Sequence, residues 1–148
     1  MKKILMTAMK TSISEVMETM FFLPIEFGKD ATLAQCGMDK KNTMACRLTF
    51  TGDVSGSLIL LAPESLVAEM AENFMGESRD QLTSEYLSGT LTEMLNMVCG
   101  NSLSKTDSKV PFNLGIPEMM DRSEISGEEV FTILETTESK MAVLLKMD

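Results

Sequence analysis

The segment from Thr43 to Leu61 constrains the fold more than any other. Met44, Cys46, Leu48 and Phe50 recur at every second position. A helix would scatter them round its circumference, whereas a strand aligns them on one face. Thr51-Gly52-Asp53 has the chemistry of a tight turn, and residues 56–61 return as a strand that is almost entirely aliphatic after its first two positions. The chain is thereby committed to a β-hairpin.

Helical spacing occupies the flanking segments. From about Ala8 to Phe22 apolar groups recur at Ile13, Val16, Met17 and Met20, and Pro24 ends the run. Pro63 stands at the favoured first position of a second helix, with Leu66, Val67, Met70 and Phe74 on one face and Gly76 just past its end. Thr83 opens a longer third helix, to about Ser104, with Glu85 in the early turns where the helix dipole favours an acid. Residues 33–36 read as a short strand. Pro111 and Pro117 bracket another, at a sheet edge, because proline cannot donate to a ladder. Residues 130–134 and 141–147 form a closing hairpin. Three helices and about six mostly antiparallel strands give an α+β fold with helices on one face of the sheet. No Pro/Gly/Ser linker interrupts the 148 residues, so a single domain over 1–148 is expected.

Composition narrows the function. Thirteen basic residues against twenty-two acidic ones leave a net charge of −9, which excludes nucleic acid and an anionic membrane as natural partners. Histidine is absent, and with it the commonest general base and transition-metal ligand. Cys36, Cys46 and Cys99 are odd in number and never approach C-x-x-C spacing, so a reducing, cytoplasmic setting is expected and neither a disulfide framework nor a zinc knuckle is. The apolar start of the chain is cut by Lys10 with no small-residue cleavage site, unlike a signal peptide. The longest apolar run, residues 58–62, is far short of the ~18 residues of a membrane span. Fifteen methionines, many at core spacing, read as core filling, and Met119-Met120 as a candidate interface pair. Cys99 has no histidine or evident cation to activate it and reads as a buried thiol.

The third helix is the informative element. Leu87, Leu91, Met94, Leu95 and Val98 form one stripe, and the midpoint of Glu93 and Asn96 lies nearly opposite it. With the stripe buried, a carboxylate and an amide one turn apart face solvent on a rigid support. Together they can grip a cation and hold a water. A plain solvated face is the commoner outcome, since every amphipathic helix has one. Against it, Asn is a poor residue for a helix interior, so Asn96 calls for a reason beyond propensity. A faint duplication accompanies the pair: Ser14-x-x-x-Glu18-x-x-Phe21 on the first helix parallels Gly89-x-x-x-Glu93-x-x-Asn96 on the third.

The stretch from Leu91 to Asn101, with Glu93 and Asn96, resembles the E-x-x-N helix of the CheC/CheX/FliY family of chemotaxis phosphatases. The hairpin Gly52-x-Val54-x-Gly56-x-Leu58, Pro63 opening a helix that ends Phe74-Met75-Gly76, and Leu114-Gly115-Ile116-Pro117 follow the family's order. The likeness spans about Ile13 to Met147. A single intact motif points to the CheX branch, because Phe21 replaces the amide in the first half. Gly89 departs from the Asp or Ser usual four residues before the glutamate.

The resemblance implies a phosphatase that hydrolyses the aspartyl phosphate of a CheY-type response regulator. Asn96 would hold the attacking water and Glu93 would meet the receiver's lysine. This chain would bind no cofactor of its own, the Mg²⁺ belonging to the receiver. Lys105 or Lys109 would soften repulsion between two acidic partners. The family's dimers suggest a homodimer through sheet edges. The alternative is a CheX-like module that binds a receiver or flagellar switch component without hydrolysis, which Gly89 favours.

Overall fold

The hairpin read from the period-two pattern stands in a seven-stranded, wholly antiparallel sheet. The computed structural model describes residues 2–106 and 112–148. In chain order the elements are α1 (Lys2–Met20), β1 (Glu26–Phe27), α2 (Leu33–Cys36), β2 (Thr43–Thr51), β3 (Gly56–Pro63), α3 (Glu64–Met75), α4 (Ser84–Ser104), β4 (Asn113–Leu114), β5 (Glu118–Met120), β6 (Thr132–Glu135) and β7 (Lys140–Met147). The strand order is β1-β6-β7-β3-β2, with β4 and β5 both on the outer side of β2.

The two hairpins, β2–β3 and β6–β7, meet through β3 and β7 at the middle of the sheet, from Gly56 opposite Met147 to Leu61 opposite Ala142. Central strands of this kind are buried on both faces, hence the aliphatic runs in residues 58–61 and 143–145. Gly56 is obligatory at the start of β3: a Cβ there would run into the carbonyl oxygen of Lys146. Cys46, Leu48, Phe50, Leu58, Leu60, Val143 and Leu145 form one face, packed against α1, α3 and α4 through Met9, Ile13, Met17, Val67, Met70, Leu91 and Leu95.

Several expectations are corrected. The three long helices cover one face of the sheet as expected, but the other face is also packed: Ala45, Ile59, Leu61, Ile133 and Ala142 are covered by Leu33, Met38 and Phe131. Residues 33–36 are one turn of helix, not a strand. Thr32 and Gln35 close a reciprocal capping box (Thr32 N–H to Gln35 Oε1 2.9 Å, Gln35 N–H to Thr32 Oγ1 3.3 Å), and Gly37 ends the turn at φ +77°. α1 begins at Lys2 rather than near Ala8, because Leu5 and Met9 extend its buried stripe. Pro63 pairs with Thr43 at the end of β3 and caps α3 with an extended ψ of 144°, so the helix proper starts at Glu64. The short strand expected between the two prolines is β4, and a further one that was not expected, β5, follows Pro117. Pro111 lies outside the described residues, and Pro117 separates β4 from β5. Between β5 and β6, Asp121 caps a single turn at Arg122–Glu124.

Candidate functional site

α4 carries the candidate pair. The Thr83 hydroxyl caps it, accepting from the Tyr86 N–H at 3.3 Å. Twenty-one residues at 1.5 Å each give a rod of about 31 Å. Leu87, Leu91, Met94, Leu95, Val98, Cys99 and Leu103 are buried on its inner side, the stripe expected from the sequence. Gly89, Glu93, Asn96 and Gly100 follow one another along the outer ridge, Gly89 and Glu93 exposed and the other two half-exposed. Residues three apart on a helix lie ~5–6 Å apart between Cβ atoms, so Glu93 and Asn96 present an acceptor and a combined donor and acceptor side by side. Among the described residues neither side chain has a hydrogen-bond or ion-pair partner.

The other sequence candidates fall away from this ridge. Burial pushes the thiols of Cys46 and Cys99 up to about 12, which leaves both protonated and unreactive at neutral pH. Lys105 is nine residues beyond Asn96, about 14 Å of helix rise, and its Nζ lies 3.5 Å from Glu15 Oε2 on α1; it does not flank the pair. Lys109 lies outside the described residues. Asn101 is exposed in the last turns of α4. Met119 and Met120 belong to β5, opposite Cys46 and Ala45. Among the described residues no group of three or more His, Cys, Asp or Glu is arranged to hold a metal ion.

The parallel half-motif has a different fate. Ser14 and Glu18 reach the surface of α1, but Phe21 is fully buried just past the helix end. Its ring lies 5.5 Å from that of Phe74, and its carbonyl accepts from Asn73 Nδ2 at 2.8 Å. The aromatic has become core.

Near the C-terminal part of the ridge is a feature the sequence reading passed over. Leu114 at the end of β4 and Ile116 in the connection to β5 are exposed apolar residues, and Leu114 Cδ1 comes within 3.9 Å of where a Cβ on Gly100 would stand. Gly115 followed closely by Pro117 was the available signal, marking a break in the strand.

The family model for the chemotaxis phosphatase CheX matches residues 44–135, well over half the chain and including the α4 ridge. The chain belongs to the CheX family. Solved structures agree in fold across nearly the full length. A chain of the CheX–CheY–BeF3–Mg²⁺ complex from Borrelia burgdorferi superposes with a TM-score of 0.78 at 19% identity, covering 97% of each chain. A CheC-like superfamily protein from Shewanella sp. PV-4 gives 0.77 at 17%, covering 100% of this chain and 99% of that one. The chemotaxis protein CheX from Vibrio vulnificus gives 0.74 at 18%, covering 97% and 96%. No curated protein matches the chain. Among the described residues of this CheX-family chain, no helix is long and apolar enough to cross a membrane.

Proposed function

We propose that this CheX-family protein hydrolyses the aspartyl phosphate of a CheY-type response regulator in the cytoplasm, with Glu93 and Asn96 as the residues inserted into the receiver's phosphorylation pocket. The observation that carries the reading is the pair itself: an exposed carboxylate and a half-exposed amide, without partners among the described residues, on the outer ridge of a helix anchored along its other side. The Borrelia complex, which pairs a CheX with CheY, BeF3 and Mg²⁺, supports a receiver as the partner.

In this reading the Asn96 amide aligns a water with the phosphorus, and Glu93 pairs with the receiver's lysine and fixes the register of the helix. Water adds to phosphorus as the bond to the aspartyl oxygen breaks, releasing inorganic phosphate and the free carboxylate. The receiver supplies Mg²⁺, which neutralises charge on the phosphoryl oxygens. Such a reaction is dominated by positioning and charge stabilisation, so a chain with no histidine can accelerate it. A homodimer through a sheet edge belongs to the same proposal. The edges on offer are β1 and β4–β5, all short, and light scattering on the purified chain tests it.

The decisive experiment is phosphate release from a phosphorylated receiver with and without this protein. Asn96→Ala is expected to slow release on the order of 10²-fold while retaining binding, because the lost contact is with the attacking water. Glu93→Lys is expected to abolish binding by like-charge contact. Unchanged release with Asn96→Ala removes the amide from the mechanism. A wild-type chain that binds the receiver without accelerating release is instead the non-catalytic module, the reading that Gly89 favours.

A further inference from the structure

The connection between β4 and β5 is a β-bulge. Asn113 and Leu114 pair with Thr51 and Phe50, whereas Glu118, Met119 and Met120 pair with Arg47, Cys46 and Ala45. Residues 115–117 therefore stand opposite only Leu48 and Thr49, and the register slips by one. Bulges re-aim side chains and recur beside active sites. This one is pinned: the Gly115 N–H donates to the Thr49 carbonyl at 2.7 Å. A Cβ on Gly115 would meet Thr49 Oγ1 at 2.7 Å and the Thr49 carbonyl oxygen at 3.1 Å. The residue expelled by the bulge is Ile116, and at 83% it is the most exposed of the large apolar side chains described. A branched aliphatic group is thus held in water by a firmly built corner, close in the chain to the exposed Leu114.

We propose that Ile116 is a docking anchor for the same phosphorylated receiver domain, a positioning residue that contributes affinity and takes no part in the chemistry. This rests on the function proposed above. The occupant follows from continuity: Leu114 adjoins the α4 ridge at Gly100, one turn beyond Asn96, and Ile116 is two residues, at most ~7 Å of chain, further on. A receiver domain seated on Glu93 and Asn96 would therefore come close to this corner. Charge favours the same occupant. Receiver pockets are acidic, and this chain carries −9. The six residues from Phe112 to Pro117 carry no ionisable side chain, so contact here adds apolar burial without repulsion.

The test uses a CheY-type receiver from the same genome, loaded with beryllofluoride and Mg²⁺ for binding and charged with acetyl phosphate for turnover. Burial of one aliphatic anchor implies that Ile116→Ala weakens binding on the order of tenfold and Ile116→Asp a hundredfold. KM should rise in parallel and kcat at saturating receiver stay within about twofold. Both variants should melt with the wild type, since the side chain packs on little of its own chain. Wild-type affinity in Ile116→Asp overturns the proposal, as does a loss confined to kcat. A change in oligomeric state in that variant also overturns it, by showing that a second copy covers the corner. The underlying function stands or falls separately, on Asn96→Ala losing rate while keeping affinity.

Discussion

Gly89 offers a test in which stability and activity separate. It lies inside α4 at a helical φ, and a Cβ built there meets no atom within 4 Å. Nothing among the described residues requires glycine there. Alanine is better than glycine in a helix interior by about 1 kcal/mol. At ~2.1 cal/mol/K per residue, a chain of 148 residues unfolds with an entropy of about 0.3 kcal/mol/K. Gly89→Ala should therefore raise the melting temperature by about 3 °C. Gly89→Asp, which supplies a residue usual in the family, should gain almost nothing. Aspartate is a weaker helix former, and it would stand one turn from both Glu85 and Glu93 at a cost of about 0.2–0.5 kcal/mol for each like-charge pair. Differential scanning calorimetry measures the shifts, and phosphate release from a charged receiver measures the rate. If an acid at this position supports the neighbouring glutamate, Asp accelerates release and Ala does not. An Ala variant that melts at or below the wild type would refute the stability argument, since it would mean the helix backbone or the empty space at residue 89 is not as described.

Ser12 is buried on α1, and its hydroxyl is the one fully buried side-chain polar atom among the described residues with no hydrogen-bond partner. Ser12→Ala should stabilise the fold by about 1 kcal/mol, and a lower melting temperature would reveal a partner for the hydroxyl. Burial raises the Cys46 and Cys99 thiols from 9.0 to about 12. The folded state therefore holds protons that the unfolded chain releases. Their stabilisation is complete below pH 9 and is lost as pH rises towards 12, at roughly 1 kcal/mol per pH unit for each thiol. A thiol reagent at pH 8 should modify only Cys36 in the native protein and all three cysteines after denaturation. Phe21→Asn should lower stability by about 3 kcal/mol or more, as large-to-small core changes do. It should also leave an Asn96→Ala background inactive, and recovered phosphate release there would show that α1 can host a site.

The parts of the fold legible in the sequence were those with a strong period. The alternation from Met44 to Phe50 fixed β2 and its turn, and the apolar stripe from Leu87 to Val98 fixed the inner side of α4 and hence the outward ridge with Glu93 and Asn96. Residues 33–36 were misread because four residues cannot display a period. What marks them is cap chemistry, Thr32 with Gln35 and then Gly37, which is weighed only when a helix is already suspected. The bulge at Ile116 was hidden for a related reason. A one-residue slip changes where a side chain points without changing composition, and only the pairing partners on β2 reveal it.

The unequal fates of the two half-motifs follow from where α1 stops. Its last helical residue is Met20, and Phe22 takes a left-handed φ of +58°, turning the chain away before the third motif position can project from a helix. An amide at residue 21 would be off the rod, under Phe74, with its backbone carbonyl already held by Asn73. On α4 the helix continues eight residues past Asn96 to Ser104, so that amide keeps a rigid base on both sides. Inserting an amide into another protein's pocket needs sub-ångström placement, and a helix interior provides it where a helix end does not. On the proposed function, a single working face per chain would follow from helix length as much as from residue identity. Restoring the other face would require extending α1 through Phe22 as well as exchanging Phe21.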